Sequence, residues 1–421
     1  MQILLDLGAS FLKGYVVDGD LRNVIDSFQI PGLAQKQVVS SDSSFLEPFC
    51  SNIQAACTRY PVESVVIAEE MHGFSCVARE VRSSTFYSWR YSWNYKSACN
   101  LFFETTENFE RATGLRARNG YGLWGLVEGA VDRQRIFGSL SSLLLQLLGR
   151  WDRKCDLSIL HSQGVIDAGT RNYLELIYQR FEHQLPTINR TLLSVPIGEI
   201  SCGLKRIPVY GGVGDLTATL DGIFHENVDS GLVVNSGTGS QIAFVNYGQP
   251  IPFAFGQCME QRLGNLRDYF VVSHIPCGRA IEFFKRICLG LFPEKSETQF
   301  WEQFAKSETR TNLVLSSLPN IPSFSLGVFD TATVGVPGSI NHLSDSVGFD
   351  DYILGLKASL ISQYVSLIKT IKPQPDLITF AGGVFLRNQD LADGIIRELD
   401  DSVSASVSQR SNPVFGLVGY G

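Results

Sequence analysis

Three short glycine-rich segments, each beside an apolar run of β-strand type, constrain this chain more than any other feature. They span residues 6–13, 211–215 and 235–240, and a related turn follows at 381–383. An apolar run that ends in glycines predicts a strand followed by a tight turn. Glycine allows positive φ and lets backbone N–H groups approach an anion closely. The pattern therefore predicts strand-to-turn units suited to the phosphates of a nucleoside triphosphate.

The length of 421 residues exceeds what one hydrophobic core usually supports. We therefore expect two domains of about 200 residues with a cleft between them. Hydrophobic residues at 44% and charged residues at 18% are ordinary for a folded protein. The net charge is −7 and no basic tract occurs, whereas a nucleic-acid-binding surface needs clustered Lys and Arg. We expect no nucleic-acid partner.

The nine cysteines are scattered and form no C-x-x-C pair. This favours reduced thiols over a disulfide framework or a structural zinc site. The longest apolar run, residues 140–148, is interrupted by polar residues and is too short to span a bilayer. The first residues run directly into a predicted strand, which leaves no room for a signal peptide. We expect a cytoplasmic protein without a membrane partner.

The order of predicted elements is that of an α/β protein. Two stretches open alike, at 3–17 and at 231–245, which predicts an internal duplication of one α/β domain type. We expect an irregular excursion at 317–345, where Pro, Ser, Gly and Asn are frequent. The further predicted elements are strands at 2–7, 13–18, 64–68 and 377–380 and helices at about 43–59, 122–130, 170–181 and 351–371.

Five motifs, in order and at suitable spacing, resemble those of the FGGY carbohydrate kinases, which share a superfamily with actin, hexokinase and the heat-shock chaperone ATPases. Because of Met71-His72-Gly73, sedoheptulokinase-like and xylulokinase-like members look nearest. The motifs lie at 6–10, 70–73, 211–215, 236–238 and 382–388.

The resemblance implies two α/β domains of the ribonuclease-H-like (actin-like ATPase) type around a deep interdomain cleft. Residues 1–225 would form the sugar-binding and catalytic domain, and residues 226–421 the nucleotide-binding domain. It also implies that ATP and Mg²⁺ are used.

Asp215 is the residue that the resemblance assigns as the catalytic base. A carboxylate at the mouth of a cleft can accept the proton of a sugar hydroxyl during phosphoryl transfer. Asp6 and Asp215 are predicted to hold Mg²⁺ through water, since this ion keeps most of its waters. Asp6 could instead cap backbone amides in a turn. Asp215 could cap a helix, a role compatible with catalysis.

Three segments are predicted to hold ATP. The resemblance implies that backbone amides and the Thr hydroxyl of the segment at 236–239 contact phosphate. It also implies that the glycines at 382–383 and Asn388 contact adenosine. Each segment alone could be an ordinary hairpin or strand-to-helix turn. The residues concerned are Gly8, Ser10 and Lys13, then Gly237, Thr238 and Gly239, then Gly382, Gly383 and Asn388.

The predicted sugar-binding residues are Glu70, Met71, His72 and Trp89, together with Asp215. This segment departs from the family, because Glu69-Glu70 replaces the usual Gly-Gln and the usual Trp-x-Asp-x-Arg is altered at 89–93. A carboxylate at Glu70 suits a cationic or hydroxyl-rich acceptor such as an amino sugar, but it could equally be solvated or paired with Arg90. His72 alone would more often be structural.

The predicted function is transfer of the γ-phosphate of ATP to a hydroxyl of a ketose, heptulose, polyol or related sugar. The partner is thus a small molecule, and a homodimer is one possible assembly. Two alternatives stay open: a nucleotide-binding regulator of the same fold that has lost catalysis, and an actin-like or chaperone-like ATPase that acts on a protein.

Overall fold

The computed structural model describes most of the chain. The described residues are 1–19, 23–32, 36–40, 45–78, 84–191, 193–226, 231–237, 239–246, 259–306, 321–325, 339–371, 375–399, 403–408 and 416. Thr238 and Cys258 therefore lie outside them. In the described part of the chain, no helix is long and apolar enough to cross a membrane.

The first half of the chain supplies thirteen strands and eight helices among its described residues. The strands are β1 (Gln2–Leu7), β2 (Phe11–Val17), β3 (Val24–Pro31), β4 (Val38–Ser40), β5 (Ser64–Glu69), β6 (Phe74–Ala78), β7 (Thr85–Tyr87), β8 (Arg135–Gly138), β9 (Gly149–Trp151), β10 (Lys154–Asp156), β11 (Thr187–Asn189), β12 (Gly198–Cys202) and β13 (Lys205–Gly214). The helices are α1 (Glu47–Arg59), α2 (Tyr95–Phe103), α3 (Thr106–Thr113), α4 (Gly122–Val127), α5 (Leu140–Leu148), α6 (Leu157–Ser162), α7 (Glu175–Phe181) and α8 (Asp215–Glu226).

The described residues of the second half form eight strands and five helices. The strands are β14 (Leu232–Ser236), β15 (Gly239–Asn246), β16 (Met259–Arg262), β17 (Asp268–Pro276), β18 (Ser323–Ser325), β19 (Ser339–Asn341), β20 (Leu377–Ala381) and β21 (Ser404–Val407). The helices are α9 (Gly278–Leu291), α10 (Glu297–Lys306), α11 (Phe349–Thr370), α12 (Gly383–Arg387) and α13 (Gln389–Arg397).

Two large sheets share one strand order. The first runs β3-β2-β1-β5-β13-β12-β9, and the second runs β16-β17-β15-β14-β20-β21. In each, an antiparallel hairpin is followed by parallel strands, with β5 parallel to β1 and β20 parallel to β14. The predicted duplication is confirmed, because β1 and β14 occupy the same place in their sheets. The α/β fold class is confirmed as well.

Each large sheet has its own apolar core. The strands are apolar because helices cover them; β1 and β5, for example, are buried along nearly their whole length. In the second half, α11 lies against the sheet and contributes more than a dozen buried residues. Burial of these faces supplies most of the free energy of folding.

Several predicted boundaries shift where the backbone turns left-handed. The helix expected at 170–181 begins only at Glu175, because Arg171 has a φ of 58°. The helix expected at 122–130 ends at Val127, ahead of Gly129 with a φ of 84°. The strand expected at 13–18 spans Phe11–Val17. Much of 317–345 lies outside the described residues, but β18 and β19 pair within it, so that segment is not wholly irregular.

Candidate active site

Parallel pairing places three acidic segments at one edge of the first sheet. Leu7 of β1 lies opposite Glu69 of β5, and Glu69 lies opposite Gly214 of β13. Asp6, Glu70 and Asp215 therefore meet where these strands end. Their charges interact, since Asp6 raises the pKa of Asp215 and Asp215 raises that of Glu70.

Asp215 is the first residue of α8. Its Oδ1 accepts a hydrogen bond of 2.7 Å from the backbone N–H of Leu216, so it caps the helix as well as facing the acidic edge. Burial, and then the charge of Asp6, raise its pKa to about 7, against the lowering effect of Leu216 and of Arg262. A carboxyl that titrates near neutral pH is suited to accept a proton.

The glycines before Asp215 form a β-bulge. Gly211 and Gly212 have φ values of 85° and 67°, and the register with β5 shifts between Gly211 and Val213. A Cβ on Gly211 would lie 2.5 Å from the carbonyl oxygen of Ile67, so only glycine fits there. The strand continues past the bulge to Gly214, the residue directly before Asp215.

Asp6 is paired within its own hairpin. It lies opposite Lys13 in the register of β1 and β2, and the Lys13 Nζ is 3.3 Å from its Oδ2. Asp6 is only 5% exposed, and burial raises its pKa although Lys13 opposes the shift. Gly8 and the exposed Ser10 form the turn between the two strands. The predicted residues of this first loop are thus adjacent to Asp6.

The residues at this edge fit a magnesium ion that travels with ATP. No group of three or more His, Cys, Asp or Glu that could hold a metal occurs in the part of the chain that the structure describes. Mg²⁺ bound to nucleotide phosphates needs only one or two protein carboxylates, because water and phosphate fill its other positions. Asp6 and Asp215 are the two carboxylates that would serve this role.

The second sheet presents glycines at the corresponding edge. In the turn between β14 and β15, the backbone N–H of Gly237 donates to the carbonyl of Gly239 over 2.9 Å. Gly382 has a φ of 91°, and a Cβ there would lie 2.2 Å from the carbonyl oxygen of Ser236. A residue larger than glycine would therefore separate the two turns. Gly239 and Gly383 border open space, as a close approach of ligand to backbone requires.

A cavity of about 700 Å³ lies beside these turns. This volume is in the range of small-molecule and cofactor sites. Three predicted residues, Gly237, Gly383 and Asn388, line it together. Sequence analysis did not predict the other members, which all lie on helices α9, α10 and α12: Gly278, Arg279, Ile281, Glu282, Arg286, Trp301, Ala305, Val384 and Arg387.

His72 has an unusual backbone and both ring nitrogens in contacts. Its φ is 77°, which is rare for a residue with a side chain. The Nδ1–H donates to the carbonyl of Ser162 over 2.7 Å, and the Nε2 accepts from Nη2 of Arg118 over 3.3 Å. Burial and the nearby charges of Arg262 and Arg118 hold the pKa of His72 well below its ordinary value. The ring is therefore neutral, and it links the Met-His-Gly segment to Arg118.

The other predicted sugar-side residues surround Glu70. Both of its carboxyl oxygens are buried without a hydrogen-bond partner among the described residues. Burial and Asp215 raise its pKa to about 8, against the charge of Arg90. The Arg90 guanidinium lies 4.4 Å from the centre of the Trp89 ring. Met71 packs against Gly214, where a Cβ would lie 2.8 Å from its sulfur.

Two further acids, which the motifs did not assign, support the backbone of this edge. Glu69 is fully buried and accepts hydrogen bonds from the backbone N–H and hydroxyl of Ser141, at 2.7 and 2.8 Å. Asp156 accepts from the hydroxyl of Ser158 over 2.6 Å, and that hydroxyl accepts from the N–H of Gly214 over 3.0 Å. This chain of contacts holds the residue directly before Asp215.

Strand β16 of the second half packs against the first half. The N–H of Gln261 donates to the carbonyl of Gly114 over 2.8 Å. Glu260 accepts from the Tyr121 hydroxyl over 3.2 Å, and its Oε2 lies 3.6 Å from Nη2 of Arg118. Arg262 also donates to Glu260. These contacts join the second half to Arg118 and, through it, to His72.

Comparison with known proteins identifies the fold. No protein-family model matches the sequence, and no curated protein sequence matches it. A xyloylose kinase from Brucella ovis has a TM-score of 0.76 at 17% identity, over 99% of this chain and 88% of that one. The glycerol kinase of Plasmodium falciparum, solved with ADP, has a TM-score of 0.74 at 12% identity, with coverage of 99% and 88%. A gluconate kinase from Lactobacillus acidophilus has a TM-score of 0.73 at 14% identity, again with coverage of 99% and 88%.

The chain therefore has the actin-like ATPase fold in the form found in two-domain carbohydrate kinases. At the level of fold, the resemblance to the FGGY kinases is confirmed. The domain division at 225/226 and the roles of the individual site residues stay predictions.

Proposed function

We propose that this protein is an ATP-dependent carbohydrate kinase with Asp215 as its general base. The acceptor is a hydroxyl of a ketose, heptulose, polyol or related sugar. The observation that carries the proposal is the position of Asp215, at the sheet edge where Asp6 and Glu70 also lie. The structural neighbours, which are sugar and glycerol kinases, support the same class of reaction.

In the proposed reaction, Asp215 accepts the proton of the acceptor hydroxyl as its oxygen forms a bond to the γ-phosphorus of ATP. The bond from that phosphorus to the bridging oxygen breaks, and ADP leaves. Lys13 and the N–H groups of the glycine turns would contact phosphate oxygens, where positive charge and backbone donors stabilise an anion. Bound with the nucleotide, Mg²⁺ would neutralise phosphate charge, and Asp6 and Asp215 would hold it through water.

We propose that the cavity of about 700 Å³ holds the adenosine part of ATP. Gly383 and Asn388 line it, as does Trp301, whose aromatic face suits a base. We further propose that the two domains close on the acceptor, which would exclude water from the reaction.

A cytoplasmic location fits the cysteines, since all eight that the structure describes are unpaired.

One alternative retains a specific observation in its favour: a regulator of the same fold that binds nucleotide without phosphorylating a sugar. In the predicted sugar site, both ring nitrogens of His72 are already hydrogen-bonded, one to Ser162 and the other to Arg118. The residue that the family resemblance expects to be Thr in the first loop is Ala9. Both features reduce the polar groups available to substrates.

The deciding experiment is ATP-dependent product formation, followed by mass spectrometry, on pentuloses, heptuloses, polyols, sugar acids and amino sugars. The kinase predicts a product that gains one phosphate and disappears with Asp215→Ala. The regulator predicts nucleotide binding with no phosphorylated product from any acceptor. Equal ATPase rates with and without acceptor, and an unchanged scattering radius, would count against domain closure.

A further inference from the structure

Arg262 is a buried arginine whose hydrogen-bonding capacity is mostly unused. Its side chain is about 3% exposed, and its Nη2 donates to Glu260. The Nε and Nη1 atoms have no hydrogen-bond partner among the described residues. Buried donors of a charged group are costly unless a partner satisfies them. The two nitrogens therefore indicate a partner that is not part of the described chain.

Arg262 lies where the second half of the chain contacts the first. It ends β16, and the next N–H, that of Leu263, lies 3.4 Å from Nδ1 of His161 in the first half. A short series of contacts runs from Arg262 through Glu260 and Arg118 to His72. The positive charge of Arg262 also lowers the pKa of Asp215 against the effect of burial. Arg262 thus lies near both the proposed base and the Met-His-Gly segment.

The charges around Arg262 favour an anion. Two guanidinium groups, those of Arg118 and Arg262, contact the single carboxylate of Glu260. His72 adds no further positive charge, because its ring is neutral. Guanidinium groups bind carboxylates and phosphates well, since several N–H donors converge on the acceptor oxygens. A carboxylate or phosphate offers several oxygens for the two unpartnered donors, whereas a single hydroxyl offers one.

We propose that Arg262 binds an anionic substituent of the acceptor, either a carboxylate or a phosphate ester on a polyhydroxy chain. This inference rests on the proposed kinase function and narrows its substrate class. The substituent would lie at the Arg262 side, while Glu70, which offers hydrogen-bond acceptors, would face hydroxyl groups. Arg262 would then determine specificity without taking part in the transfer of phosphate.

The first test compares acceptors that share a carbon skeleton and differ in one group: a neutral polyol, the matching sugar acid and the matching phosphate ester. We expect kcat/KM for one of the anionic members to exceed that for the neutral polyol by about ten- to a hundredfold, the value of a charge-assisted hydrogen bond. The acid and the ester distinguish a carboxylate from a phosphate. Equal or higher kcat/KM for the neutral member would overturn the proposal.

The second test uses Arg262→Met and Arg262→Lys, with Arg150→Met as control because Arg150 is 63% exposed and pairs with Asp152 at the surface. Arg262→Met should lower kcat/KM for the anionic acceptor by about ten- to a hundredfold more than for the neutral polyol, because both acceptors share any change in the pKa of Asp215. For Arg262→Lys, which keeps the charge, kcat/KM for the anionic acceptor should lie between the values of the unaltered protein and of Arg262→Met. Equal losses for both acceptors would assign Arg262 a structural role only.

The proposal can fail independently of the kinase function. Phosphorylation of neutral acceptors alone would leave the kinase and remove the anion site. If no acceptor is phosphorylated, the kinase function fails, and calorimetric binding of the three acceptors to nucleotide-loaded protein decides the proposal. Binding of an anionic member that Arg262→Met abolishes would support it, and absent or equal binding would overturn it. If Arg262→Met does not fold, Arg262→Lys and the selectivity of the unaltered protein decide.

Discussion

The two large sheets share a strand order, but the residues at their carboxyl edges differ in kind. The first edge carries acids, of which Asp6 and Glu70 are buried and Asp215 is partly buried. The second carries the glycines of the turns at 236–239 and 382–383 and borders a cavity lined by arginines. One topology thus supports two environments, one suited to moving a proton and the other to holding an anion.

The difference has a physical reason. Burial, and then the charge of the neighbouring Asp6, raise the pKa of Asp215 to about 7, which produces a base that titrates near neutral pH. The same carboxylates would repel a nucleotide if they lay around its phosphates. Glycine turns offer N–H groups without adding negative charge. In the proposed kinase, separating acids and glycines onto two sheets would let a single cleft contain both.

The largest effect should come from Asp215→Asn, which removes the proposed base and keeps the side chain's size. We expect kcat to fall by about 10²- to 10⁴-fold, the usual contribution of general base catalysis. Affinity for ADP without Mg²⁺ should stay within about twofold, since the second edge is unchanged. Steady-state kinetics and calorimetry measure the two quantities. Asp132→Asn is the control, because Asp132 lies at the surface beside Arg135.

The pH dependence offers an independent check on Asp215. A base acts only when deprotonated, and the pKa of Asp215 is about 7 in the free protein. The value of kcat/KM should therefore rise with pH and level off above about 7. A profile that is flat from pH 5 to 8 would contradict a base with a raised pKa.

The second edge should be most sensitive at Gly382. A Cβ in Gly382→Ala would meet the carbonyl oxygen of Ser236 at 2.2 Å, in a backbone conformation that alanine disfavours. We expect at least about a tenfold loss of ADP affinity and a stability loss of about 2–4 kcal/mol. Calorimetry and urea unfolding measure these changes.

The control for Gly382→Ala is Gly290→Ala in helix α9. No atom lies within 4 Å of the position that its Cβ would take. Alanine there should leave ADP affinity unchanged and stabilise the helix by at most about 1 kcal/mol. Equal ADP affinity in the two variants would remove Gly382 from the nucleotide site.

A smaller effect should appear in the pH dependence of stability through Glu70. Its pKa is about 8 in the folded protein and 4.5 as an ordinary value, so the folded state binds the proton more tightly. Stability from this group is complete below about pH 4.5 and is lost as the pH rises towards 8. Glu70→Gln lacks this loss. The free energy of unfolding of Glu70→Gln, relative to that of the unaltered protein, should therefore increase by up to about 4 kcal/mol between pH 5 and pH 8.

Urea unfolding at the two pH values measures this effect. Glu63→Gln is the matched control, because Glu63 is exposed just before β5 and should give the same difference at both pH values. If Glu70→Gln behaves like Glu63→Gln, the carboxyl of Glu70 ionises as an ordinary glutamate does.

The sequence predicted the features that depend on local geometry. Glycines 211, 212 and 382 mark turns because their backbone conformations exclude other residues. Asp6, Glu70 and Asp215 follow apolar strands, and parallel strands bring their ends together. These predictions needed only the chemistry of neighbouring residues.

The remaining residues depend on contacts between distant segments. Arg279, Arg286 and Trp301 lie on helices α9 and α10, whose sequences do not differ from those of other amphipathic helices. Glu260 and Arg262 acquire their positions only when β16 packs against Gly114, more than a hundred residues away. The left-handed backbone of His72 also arises from such contacts, including the hydrogen bond of its N–H to Ser162.

The smallest expected effect tests whether the first edge depends on its support as well as on its acids. Ser158→Ala removes the hydroxyl that connects Asp156 to the N–H of Gly214. We expect kcat to fall by about three- to tenfold and stability by about 1–2 kcal/mol, because one buried N–H and one buried carboxyl each lose a partner.

Steady-state kinetics and urea unfolding measure these changes, with Ser346→Ala as the control because Ser346 is exposed and bonds only Ser344 among the described contacts. A loss of stability without any change in kcat would mean that Asp215 keeps its position through its own helix cap. In that case the acidic edge would resemble the glycine edge in one respect: its backbone geometry alone would place the functional groups.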